Sequence, residues 1–150
     1  MKPERQQGAT VVEFALVLPV LLLLVFGIAQ FGWLMNNYIV LTNAAAAGAR
    51  LLASERGYST PYTDTKTAVL AATSALNNTP TITMTVGTTT CTSDATCITA
   101  LGTSSQPPTS GTRATVSLSY TFVPPFKGSL YNLKAMMPST LSANTSVVVQ

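Results

Sequence analysis

The sequence predicts an α+β protein: a long N-terminal transmembrane and stalk helix, then a small exported domain in which a helix packs on an antiparallel sheet. Three observations carry that expectation. Residues 14–35 (FALVLPVLLLLVFGIAQFGWLM) hold no charge and a single polar side chain, Gln30. Residues 36–54 contain the run AAAAGARLLA, and alanine propagates helix better than any other residue. Beyond Gly57, threonine alternates with apolar residues at the two-residue period of half-buried strands.

Composition narrows the function classes. Charged residues make up 9% of the 150, against roughly 25% in an ordinary soluble domain. The net charge of +3 comes from eight scattered basic residues, so no basic patch points to nucleic acid. Histidine is absent, which removes imidazole bases, Ser-His triads and most zinc sites. After Met35 the only carboxylates are Glu55, Asp64 and Asp94, and no Gly-rich phosphate motif is present. That inventory is poor for acid–base or nucleophilic chemistry, so no enzyme, cofactor or small-molecule substrate is expected.

The elements follow in order. Residues 14–35 would span roughly 33 Å as a helix, enough for a hydrocarbon layer in which a backbone must satisfy its own hydrogen bonds. Pro19 lacks an N–H and crowds the carbonyl of Ala15, which predicts a mild kink. Trp33 and Tyr38 suit the far interface. Lys2 and Arg5 precede the span and the next basic residue is Arg50, so the positive-inside rule keeps the N-terminus cytoplasmic and exports the rest. The expected location is the cytoplasmic (inner) membrane, single-pass. A cleavable signal cut after Ala29, with Gly27 and Ala29 as its small residues, is the rival reading. Its drawback is an apolar region longer than such signals use, continuing past the cut.

The span continues as a stalk to about Ser54, with Tyr38, Leu41, Ala45, Ala49 and Leu52 at helical spacing. Its Ala-rich face is expected to pack under the chain's own exported domain. Arg50, Glu55 and Arg56 mark a solvated end, with Gly57 as the stop. Thr63 or Asp64 can cap a helix running to about Asn77, with Ala68, Ala71, Ala72 and Ala75 as a small face and Val69 and Leu76 as bulk. Strands are expected at residues 81–86, 113–122 and 141–149, and residues 102–111 read as a loop. Residues 126–137 are apolar but short, a sheet-covering turn or a partner-facing patch. Cys91 and Cys97 are the only cysteines; too few donors for a metal, they read as a local disulfide in an oxidising compartment.

A charged residue, Glu13, stands immediately before the apolar span, where a carboxylate is costly unless it rests in the headgroup zone or finds a partner. Cleavage after Gly8 would make Ala9 the new N-terminus and Glu13 the fifth mature residue. A neighbouring subunit's ammonium group could then pair with that carboxylate, compensating two charges and setting helix register.

The segment Gly8-Ala-Thr-Val-Val-Glu13-Phe14 resembles the processing motif of Flp pilins and pseudopilins of the tight-adherence (Tad) type IV pilus system. Residues 8–53, with Pro19, Gly27, Gly32 and the triplet Gly48, Ala49, Arg50, are similar to the TadE-like family. Phe14 stands where the Flp motif commonly has Tyr, and the chain is longer than a major Flp pilin. The resemblance implies a leader at 1–8, a TadE-like transmembrane and stalk helix at 9–56, and a Thr-rich α+β exported domain at 57–150. It also implies cleavage between Gly8 and Ala9 by a TadV-type prepilin peptidase, and other Tad pilins, pseudopilins and assembly machinery as partners. The function so implied is that of a minor pilin or pseudopilin in Tad pilus assembly, adhesion and biofilm formation. The alternative is a permanent single-pass protein with an exported scaffolding domain, unprocessed and outside any filament.

Overall fold

A computed structural model describes residues 7–103, 106–125 and 137–150. Its elements are α1 (Gln7–Ser54), α2 (Pro61–Ala72), β1 (Thr81–Val86), β2 (Thr89–Cys91), α3 (Asp94–Leu101), β3 (Arg113–Thr121) and β4 (Thr140–Val148). The α+β expectation holds: a long apolar helix, then shorter helices and a four-stranded antiparallel sheet. The chain divides into two compact units, with the boundary inside α1 at Met35.

In the first unit, residues 7–35 of α1 are helical straight through Pro19. From Val11 onward most of their apolar side chains are exposed, among them Leu16 at 73% and Val20 at 68%, while Leu18, Phe26 and Leu34 are half-buried. Gln30 is the exception: it is buried, and its Oε1 has no hydrogen-bond partner among the described residues. The apolar patch expected at residues 126–137 falls, except for Met137, outside the described residues.

The second unit begins with the rest of α1. Leu41, Ala44, Ala45, Gly48, Ala49, Leu52 and Ala53 are buried, the three-and-four spacing of one helix face. The Ala-rich face therefore packs within the chain's own domain. Tyr38 does not belong to it; Tyr38 is exposed, and the neighbouring Asn37 is buried instead. Each fully buried leucine contributes roughly 2 kcal/mol of apolar transfer.

The helix after Gly57 starts earlier and ends sooner than the sequence suggests. Pro61 occupies the first turn, where its fixed φ suits a helix and its missing N–H costs nothing. Thr63 and Asp64 accordingly lie inside α2, and the Asp64 carboxylate accepts a 2.7 Å hydrogen bond from the Thr60 hydroxyl. The helix stops at Ala72, where the Thr73 hydroxyl turns back to donate to the Val69 carbonyl. Its buried face is Pro61, Thr65 and Val69, followed by Thr73, while Ala71, Ala72 and Ala75 are exposed. The buried stripe is the i, i+4 row Pro61, Thr65, Val69, so Ala71 and Ala72, two and three residues past Val69, fall on the exposed side of the helix and Ala68 is half-buried.

The sheet runs in the order β2-β1-β3-β4. Its three longer strands fall within a residue of the expected ends, and every neighbouring pair is antiparallel. Met84, Val86, Ala114, Val116, Leu118, Tyr120, Leu141 and Ala143 form the buried face. Across the register, Thr83 opposes Ser117 and Ser117 opposes Asn144 on the other face, so threonine and serine supply strand propensity without burying a polar group.

Candidate processing and assembly site

The residues expected to take part in cleavage and pairing all sit at the start of α1. Gly8 and Ala9 lie within its first turn, one residue after it begins at Gln7. Glu13 is exposed one turn beyond Ala9, and Phe14 is 62% exposed beside it. Above them rise many exposed apolar side chains, including Leu21, Ile28 and Phe31. By length and composition α1 is apolar enough to cross a membrane, and this is the sole such helix among the described residues. Such a stretch is tolerated in water only at a large hydrophobic cost, whereas lipid or neighbouring helices remove it. Glu13 thus stands at the foot of a surface that excludes charge.

The glycines of α1 separate two kinds of surface. A Cβ added at Gly27 or Gly32 would meet nothing within 4 Å among the described residues. One added at Gly48 would lie 2.5 Å from Val69 Cγ2 and 3.5 Å from Val116 Cγ1. Gly48 is therefore the point where α1 touches both α2 and β3, and its missing side chain is what allows the approach. The sequence held a signal for this, an isolated glycine in an alanine run, but not the identity of the neighbour.

Cys91, at the end of β2, and Cys97, in α3, form the expected disulfide; their Cα atoms are 5.0 Å apart and both residues are buried. The turn between them is organised by Ser93 and Thr96. Each side chain caps the other's backbone in a capping box, with Thr96 standing where Glu or Gln is usual. That substitution hid α3 from the sequence pattern.

Two carboxylates outside the span behave oppositely. Asp94 reaches from α3 to the first turn of α2, accepting from the Thr63 hydroxyl at 2.7 Å and the Thr63 N–H at 2.9 Å. Those bonds, the hydroxyl's first, hold its carboxyl below the usual range. Glu55 was expected at a solvated end, yet it is buried, and its Oε2 has no hydrogen-bond partner among the described residues. Burial foremost, and then the charge of Asp64, push its carboxyl up. It also follows the C-terminus of α1, where the helix dipole disfavours a negative charge.

Among the described residues no group of three or more His, Cys, Asp or Glu side chains is placed to hold a metal. No curated protein and no solved structure matches the chain. Less than a third of it, residues 8–50, matches the family model described as TadE-like protein, so the similarity runs along α1 from Gly8 through the Gly48 contact to Arg50.

Proposed function

We propose that this chain is a minor pilin or pseudopilin that contributes to Tad pilus assembly, and through it to adhesion and biofilm formation, after its leader is cut between Gly8 and Ala9. The TadE-like match associates it with Tad pilus systems, and the helix fits a single-pass membrane protein. One observation carries the finer reading: a carboxylate, Glu13, at the foot of an exposed apolar helix and five residues past a glycine. A TadV-type prepilin peptidase would release the Ala9 amine. Ala9 and Glu13 are four residues apart, so a neighbouring helix offset by about 6 Å along the axis brings its amine to this carboxylate. Pairing offsets the cost of holding a carboxylate against hydrocarbon, a cost that reaches roughly 3 kcal/mol only at the centre of a membrane and is smaller at the foot of the span. Lys2 and Arg5 keep the leader on the cytoplasmic side of the inner membrane, and the second unit is exported. The chain is then a substrate of one enzyme and not an enzyme itself.

Replacing Gly8 with Trp should block maturation, read as a mass that retains residues 1–8. Glu13→Gln should still insert and still be processed, yet fail to co-assemble with its pilin partners. Processing of Gly8→Trp at the normal rate would overturn the cleavage site, and normal co-assembly of Glu13→Gln would overturn the charge pairing.

A further inference from the structure

The two edges of the sheet are unlike. β2 is three residues long, an edge made harmless by shortness. β4 is nine residues long and pairs with β3 at every position from Thr140 to Val148, with no bulge. Its sequence, TLSANTSVV, has no charge, no proline and no glycine, so it lacks the devices that usually blunt an exposed edge. Among the described residues, no strand pairs with its far side.

The phase of the ladder shows what that edge offers. The Phe122 N–H donates to the Ser139 carbonyl at 2.9 Å and the Val149 N–H to the Thr112 carbonyl at 2.9 Å. In the β3–β4 register these two pairs fix the odd-numbered residues of β4 as the ones bonded to β3. Thr140, Ser142, Asn144, Ser146 and Val148 therefore turn their N–H and C=O groups outward, and all five side chains are exposed.

We propose that β4 pairs antiparallel with β4 of a second copy of this chain, about a two-fold axis at Asn144. The strand is self-complementary about that residue. Thr140 would oppose Val148 of the second copy, Ser142 would oppose Ser146, and Asn144 would oppose itself. All of these are outward-bonded residues, so each pair exchanges two main-chain hydrogen bonds. On the inner face Leu141 would meet Val147 and Ala143 would meet Thr145, apolar or methyl-bearing in each case. No charge on the strand repels its copy, and a two-fold contact closes on itself instead of growing into a fibre. The result is one continuous eight-stranded sheet. β4 is present whether or not the leader is removed, so this pairing stands or falls apart from cleavage at Gly8.

The test is disulfide trapping of the full chain in membranes. Because Cys91 and Cys97 are already joined, an introduced cysteine is the one free thiol. Opposed residues of a hydrogen-bonded pair have Cα atoms about 5.5 Å apart, within disulfide reach, whereas the two copies of residue 142 would be roughly 14 Å apart. Under copper–phenanthroline oxidation Asn144→Cys should give at least about tenfold more covalent dimer than Ser142→Cys or Ser146→Cys alone. Mixing the Ser142→Cys and Ser146→Cys chains should restore the dimer to the Asn144→Cys level. Equal trapping at all three positions, no trapping at 144, or trapping of residue 144 to a different protein would each overturn the proposal.

Discussion

Val11 to Met35 and Leu41 to Ala53 belong to one helix and present two kinds of surface. In the first stretch most bulky apolar side chains are exposed, and a Cβ at either of two glycines would meet no described residue. In the second the outward side chains are polar or small, and the glycine lies under a valine. The same residue type thus does different things along α1. Gly27 and Gly32 meet no described residue, and small residues of this kind let membrane helices approach closely. Gly48 has already spent its room on α2 and β3.

The largest expected effect breaks this contrast at Gly48. Gly48→Val should destabilise the second unit by about 3 kcal/mol, since added methyl groups must displace Val69 inside a packed contact. A compensating Val69→Ala change should recover part of the loss, and thermal unfolding of both variants checks it. Next in size is the disulfide. Replacing Cys91 and Cys97 with alanine should cost about 2 kcal/mol in the chain-entropy model, with the loss confined to β2 and α3 in hydrogen exchange. Loss of protection around Gly48 would show that the two sites are one cooperative unit.

Glu55 sharpens the comparison at the end of the buried stretch. Its folded-state carboxyl titrates above its unfolded value, so folding takes up a proton and stability falls as pH rises through the folded-state value. Glu55→Gln should then stabilise the domain by up to about 1 kcal/mol at neutral pH and remove that fall. Asp94 runs the other way: its lowered carboxyl gives stability that is present above the unfolded value and lost as pH falls. Asp94→Asn should weaken the acid-side loss, and unfolding at several pH values separates the two. The smallest effect is expected in the first stretch. Gly27→Ala and Gly32→Ala should leave the domain's stability unchanged and favour helix by up to about 1 kcal/mol. If either one disrupts co-assembly while doing so, that glycine faces a partner.

The strands were legible because alternation persists over six to nine residues, long enough for a two-residue period to be read from Thr81 to Val86 and across β3. The three-residue β2 carries no period, and α3 hid behind a capping box closed by Thr96. Side-chain placement depended on neighbours distant in sequence. Nothing near Glu55 announces that it is buried, and nothing near Asp94 announces that it reaches Thr63, 31 residues away. Of the candidate site, the cysteines were legible from compartment and spacing, and Gly8 and Glu13 from the resemblance around them.

The proposed function rests on where the mature chain begins. Intact mass of the protein purified from membranes, in cells that carry the Tad machinery, reads this directly. The account predicts a chain starting at Ala9, lighter by the residues Met1 to Gly8. A chain starting at Met1 would make the protein a permanent anchor, and one starting at Gln30 a secreted domain; either would contradict it.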